Sequence, residues 1–169
     1  MQTTNASVAT LIDWENLDTR KGRKNKIDFS RLNRFIETLG RKSLTLALAG
    51  FSDRNGSLVK MMHKYGIEPR FTNVKKIFSE TSENTQTSFL KNAADIHLTV
   101  EALKIATSYP HISTFLLVTG DGGFVPLVRE LKCLGKNVHV LARNNQCLSL
   151  DLKREVDSFS IYDGLEECE

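Results

Sequence analysis

Short apolar runs alternate along this chain with segments of helical periodicity, and that alternation constrains the fold more than any other feature. Ser7 to Asp13 (SVATLID), apolar and partly β-branched, and Leu44 to Ala49 read as buried strands. Ile67 to Val74, His111 to Thr119 with the most hydrophobic run STFLLVT, and Asn137 to Ala142 read as further strands. Asp28 is placed to cap a helix with Leu32, Phe35, Ile36 and Leu39 on one stripe, and Gly40 to stop it. Leu58, Met61, Met62 and Tyr65 mark a second helix, ended by Gly66. Ala94, Leu98, Ala102 and Ile105 mark a third, starting near Asn92. Val125, Val128, Leu131 and Leu134 line a fourth, with Pro126 in its first turn and Gly135 at its end. A short helix over residues 146–154 and an edge strand from Phe159 to Tyr162 complete the pattern. Lys75 to Leu90 is polar, with little periodicity, and reads as a long loop of the kind that is often functional or mobile. Strand and helix in repeated succession mean right-handed crossovers, hence a mainly parallel sheet with helices on both faces: a three-layer α/β/α fold.

The 169 residues suffice for one domain, with a core from about 7 to 162 and an acidic tail. A chain of this length buries a full core without a disulfide or zinc staple. No apolar run approaches the ~18–20 residues of a membrane span, and the opening MQTTNASVATLID has neither the basic start nor the apolar segment of a signal peptide. Cys133, Cys147 and Cys168 are scattered and form no CxxC pair, so free thiols and a cytoplasmic location are expected. The net charge of +3 is mild but uneven: residues 20–42 carry nine Lys/Arg against Asp28 and Glu37, whereas the last 19 residues carry seven acids against Lys153 and Arg154. The basic end suits a polyanion, although charge runs are more often solvated surface.

In parallel sheets ligands bind beyond the carboxyl ends of the strands, so the residues there carry the functional question. Asp13 ends the first strand, Asp53 follows the second, and Asp121 follows the fourth in TGDGGF. Asp95 is expected near the start of its helix, on the same rim. Each has an ordinary alternative: Asp13 as a turn cap, Asp53 and Asp121 as turn acids, Asp95 as an acid favoured by the helix dipole. Taken jointly, acids at successive strand ends suggest a shared cleft. Clustered carboxylates repel unless a cation neutralises them, and hard oxygen ligands suit Mg2+ or Mn2+. The glycines of TGDGGF allow the backbone to approach a ligand closely. They form neither a P-loop nor GxGxxG, and no GxSxG occurs. His63, His97, His111 and His139 lack metal-ligand spacing.

LIDWENL, KNAADIHLTVEAL and LLVTGDGGFVPLVRELKCLGKNVHVL, in this order, resemble the NYN domain family, in particular its LabA-like branch, within the PIN-like ribonucleases. The match runs from about Val8 to about Leu141. It implies a PIN-like α/β/α fold and metal-dependent cleavage of RNA, with Asp13, Asp95 and Asp121 holding Mg2+ or Mn2+. It also implies an orienting role for Asn16 and a phosphate-pairing or acid-tuning role for Lys91. Ser52-Asp53 stands where many members have Gly-Asp, and Gly123 replaces the second Asp of the usual GDSDF. The Gly123 departure bears on catalysis; Glu15 is a nearby carboxylate able to compensate for it, although a solvent-facing loop acid is the more ordinary reading of that residue. Arg20, Lys21, Arg23, Lys24 and Lys26 follow the first strand, and Lys75 and Lys76 open the long loop. These cations are expected to grip a nucleic-acid backbone, and Trp14 to stack on a base or pack in the rim. The partner expected is single-stranded RNA, with no membrane, and small nucleases of this shape often form homodimers. Two further readings stand beside this one. The first is a PIN-like RNA- or protein-binding module that has lost catalysis through Gly123. The second is a phosphatase of the haloacid dehalogenase type, which TGDGG resembles but whose Asp-x-Asp is not met by Asp13-Trp14-Glu15.

Overall fold

A computed structural model describes residues 6–17, 27–49, 56–72 and 83–165. Six strands form one parallel sheet: β1 (Ser7–Asp13), β2 (Arg41–Ala49), β3 (Glu68–Phe71), β4 (Ile112–Val118), β5 (Asn137–Ala142) and β6 (Ser158–Ile161), in the spatial order β3-β2-β1-β4-β5-β6. The chain winds from β1 through β2 to one edge, then returns across the sheet and winds from β4 to the other. The order therefore reverses between β1 and β4.

Alternation along the buried strands sends side chains to two cores. Val8 and Ile12 of β1, with Leu116, Val118 and Leu141, pack beneath α1 (Trp14–Leu17), α2 (Phe29–Leu39) and α3 (Gly56–Lys64). Ala9 and Leu11, with Phe115, Leu117 and Val140, pack beneath α4 (Glu83–Ser108), α5 (Val125–Cys133) and α6 (Leu150–Glu155). Fully burying each such aliphatic side chain stabilises the fold by roughly 1.5–3 kcal/mol before chain entropy is counted. The three-layer α/β/α architecture expected from the sequence is thus observed, with every strand pairing parallel.

Local signals explain most element ends. Asp28 caps α2, its carboxylate accepting from the Ser30 and Arg31 N–H groups at 2.8 and 3.2 Å. Gly66 and Gly135, at φ 64° and 72°, follow α3 and α5 in the left-handed conformation that closes a helix at little steric cost. Three expectations require correction. α4 begins at Glu83, inside the stretch read as a loop. Its first turns carry Glu, Asn, Thr and Gln, which show no apolar period although they permit a helix. Met61 of α3 is 44% exposed, leaving Met62 as the anchor. Leu134 is 40% exposed, because α5 has ended and Leu127 fills the core position instead.

Candidate functional site

The carboxyl rim between β1 and β4 is the crevice at which strand order reverses, the position where open parallel sheets bind ligands. Asp13 ends β1 there. It shares the alternation of Ala9 and Leu11, the face covered by α4 and α5, and is 3% exposed. A buried carboxylate must be hydrogen-bonded, and this one is. The Asn16 N–H donates to its Oδ1 at 3.3 Å, and the Asn16 amide and the Thr119 hydroxyl donate to its Oδ2, the latter at 3.1 Å. Asn16 therefore orients Asp13 through both its backbone and its side chain, within the single turn of α1.

Thr119 extends this arrangement to β4. Its hydroxyl donates to Asp13 and accepts the Asp121 N–H at 3.2 Å. One buried oxygen thus connects the ends of adjacent strands and fixes the start of the Asp121 turn relative to Asp13. The Asp121 carboxylate turns back to accept the Gly123 N–H at 2.9 Å, capping the 3-10 turn Gly122–Phe124. The glycines of this turn approach the chain itself. A Cβ at Gly120 would lie 2.0 Å from the Cys147 carbonyl oxygen, and one at Gly122 would lie 2.7 Å from Ser149 Oγ. The Ser149 N–H donates to the Gly120 carbonyl at 2.9 Å. The expected close approach to a ligand is therefore, at Gly120 and Gly122, an approach to the segment after β5. Gly123 is the exposed glycine of the turn.

Asp95 is half-buried in the middle of α4, so it is not the helix-start acid expected. α4 packs on β1 and on the Gly122–Phe124 turn. Lys91 lies on α4 four residues before Asp95, with its side chain outside the described residues. Asp53, Arg20, Lys21, Arg23, Lys24, Lys26, Lys75 and Lys76 also lie outside the described residues.

Trp14 is 5% exposed and its ring stacks on Phe29 at 5.8 Å, so it packs in the rim and offers no platform for a base. Glu15 is exposed on α1. His139 belongs to the sheet, its ring nitrogens bonded to Ser158 and Ser160 of β6 at 2.6 and 3.1 Å. Burial lowers its pKa. A cavity of about 490 Å3 opens at the opposite, amino end of β2 and β3, beside Lys42, Thr45, His63 and Glu68. Lys42 there donates to Asn33 and to the Tyr65 carbonyl at 2.9 and 2.7 Å, and burial lowers its pKa although Glu37 raises it. It ties α2 to the end of α3, and the rim carboxylates are not part of that cavity.

The donors at the rim are hard oxygens, the chemistry of a Mg2+ or Mn2+ site. Among the described residues, no three His, Cys, Asp or Glu side chains gather into a group able to hold a metal ion unaided. Asp13 and Asp121, coupled through Thr119, fit a cation of the kind that takes one or two carboxylates from the protein and completes its shell with water and substrate phosphates. Thr119 is the residue the sequence did not single out. Its signal was position alone, a hydroxyl one residue beyond β4 and opposite Asp13.

A parallel three-layer fold with helices on both faces of the sheet is consistent with the PIN-like class. Residues 7–163 match the NYN domain, and the chain belongs to that family. The crystal structure of VPA0982, a Vibrio parahaemolyticus protein of unknown function, is similar to it with a TM-score of 0.75 and 21% identity, over 97% of this chain and 98% of that one. At that identity the likeness concerns the fold. No protein of curated function matches the chain. Membership of the NYN family connects the protein to the PIN-like nuclease superfamily. Among the described residues, no helix is long and apolar enough to cross a membrane.

Proposed function

We propose that this protein is a metal-dependent ribonuclease of the LabA-like NYN type, acting on single-stranded RNA in the cytoplasm. The observation that carries the reading is the coupling of Asp13 to the Asp121 turn through the Thr119 hydroxyl, at the point where strand order reverses. In this reading Asp13 and Asp121 hold Mg2+ or Mn2+; Asp95 of α4 forms no three-ligand group with them among the described residues and is left out of the shell. When bound, the cation supplies a water of lowered pKa and a counter-charge for phosphoryl transfer. Asn16 and Thr119 keep the Asp13 oxygens oriented, so the site does not reorganise as charge develops. Lys91 pairs with the scissile phosphate or tunes the acids. Arg20, Lys21, Arg23, Lys24 and Lys26 grip the phosphate backbone beside the end of β1, and Lys75 and Lys76 do so beyond β3.

End-labelled single-stranded RNA incubated with the protein and Mn2+ tests this reading. Cleavage by the wild type that disappears in an Asp13→Asn, Asp121→Asn double variant is expected. Cleavage unchanged in the double variant refutes the site.

The binding-module reading is favoured by two observations. Gly123 supplies no carboxylate, and no three-ligand group is gathered among the described residues. It predicts salt-sensitive RNA binding without turnover at any Mn2+ concentration, and turnover that emerges on Gly123→Asp.

A further inference from the structure

β5 runs parallel to β4 on the side away from β1, so the segment that leaves it, residues 143–149, emerges at the same rim as Asp13 and Asp121. Arg143 is 5% exposed and Leu148 8%, so the segment is sunk in the protein at both ends. Between them the chain closes on itself. The Cys147 N–H donates to the Asn144 side-chain oxygen at 2.9 Å and to the Asn144 carbonyl at 3.2 Å. The Ser149 N–H then ties the segment to the Gly120 carbonyl, and the Cys147 carbonyl leaves no room for a side chain at Gly120. The segment is thus docked on the turn that carries Asp121, and loops held by a rigid scaffold in this way are where binding residues are commonly found.

Two features of the segment do nothing for its own stability. Ser149 stands at the N-cap of α6, where serine is favoured for the hydrogen bond its side chain makes to the helix, yet its side chain makes no such bond. The hydroxyl lies instead against Gly122, the residue after Asp121, where a Cβ would come within 2.7 Å of it. Asn145 and Gln146 form the exposed tip of the segment. The Asn144 amide is engaged inside it, holding Cys147, whereas the two exposed amides stand at the edge of the rim.

An RNA strand that crosses the strand ends with one phosphate between β1 and β4 brings a neighbouring nucleotide over the end of β5, one strand spacing of about 4.8 Å further on. A side-chain amide offers a donor beside an acceptor, and Asn or Gln bonds adenine in this way through N6 and N7. In single strands such base edges are open to be read. We propose that residues 145–149 form a base-reading wall of the rim. Asn145 and Gln146 are specificity-determining residues that select adenine beside the cleaved bond, and the Ser149 hydroxyl donates to the phosphate of that nucleotide. This proposal rests on the RNA reading above, and its test separates the two.

Wild type, an Asn145→Ala, Gln146→Ala double variant and Ser149→Ala are compared in binding to short, fluorescent, non-hydrolysable single-stranded RNAs made of A, C, G or U alone, with Mn2+ present and across a salt series. Wild type is expected to bind the adenine strand roughly five- to tenfold more tightly than the other three. The double variant is expected to bind all four alike, with the wild-type dependence of log K on log salt, because no phosphate contact is lost. Ser149→Ala is expected to keep the adenine preference and to bind every strand roughly threefold more weakly, with an unchanged thermal midpoint because no cap bond is removed. A wild type that binds all four strands alike, or a double variant that keeps the preference, overturns the wall and leaves the RNA reading standing. A Ser149→Ala protein that melts earlier and binds RNA as the wild type does makes the serine a helix cap and overturns its assignment. A wild type that binds no RNA overturns the RNA reading and the wall with it.

Discussion

Replacing Thr119 by valine removes one oxygen and leaves the shape of the side chain nearly unchanged. Thr119 is 2% exposed, so water does not replace what is lost. Asp13 forfeits a hydrogen bond to a charged, buried oxygen, worth about 1.5–3 kcal/mol, and the Asp121 N–H forfeits its acceptor, worth about 1 kcal/mol. Relaxation recovers part of this, so a net loss of roughly 2–3 kcal/mol is expected. For a protein of this size each kcal/mol moves the midpoint by about 2–4 °C, so thermal unfolding should come about 5–10 °C earlier. Thr119→Ser keeps the hydroxyl and should lose less than half as much. The same pair separates in function: the serine variant retains the site's activity and the valine variant loses it, because the Asp121 turn is no longer registered against Asp13. Calorimetry with parallel RNA-cleavage assays checks both. A valine variant as stable as the wild type, or a serine variant as damaged as valine, refutes the role given to the hydroxyl.

Burial holds the His139 pKa below its ordinary value of 6.5. The unfolded chain therefore gains a proton as the pH falls through about 6.5 while the folded one stays neutral. The stability this imidazole contributes is full above that pH and is lost as the pH falls toward the lowered folded pKa. Chemical denaturation between pH 8 and 5 should show a slope that His139→Gln flattens. Gly120→Ala drives a methyl into the Cys147 carbonyl and should cost about 2–4 kcal/mol, read as an earlier denaturation midpoint. At Gly123 the nearest atom to a new Cβ is Asp121 Oδ1 at 3.4 Å, so Gly123→Asp should fold. By adding ligand charge it should raise Mn2+ affinity roughly tenfold, measurable by isothermal titration calorimetry.

The three layers were legible because strands buried on two faces and helices buried on one leave different apolar periods. β1 and β5 match their sequence-derived bounds, and α2 was readable from Asp28 through to Gly40. Where the signal is burial and the residues are polar, it vanished: the first turns of α4 passed for a loop, and Asp95 was put at a helix start instead of its middle. At the site, Asp13 and Asp121 stood out as acids at strand ends, and Asn16 through the resemblance to the family. Thr119 did not, because its role depends on β1 and β4 being neighbours, which no local pattern states. The docking of Ser149 on Gly120 joins segments that are distant in the sequence and was invisible for the same reason.

Crystals grown with a non-hydrolysable single-stranded RNA and soaked in Mn2+, with anomalous scattering recorded at the manganese edge, test the central claim most directly. An ion coordinated by carboxylate oxygens of Asp13 and Asp121 and by a phosphate of the RNA is the predicted result. RNA bound elsewhere, or an anomalous map without a peak at the β1–β4 rim, contradicts it.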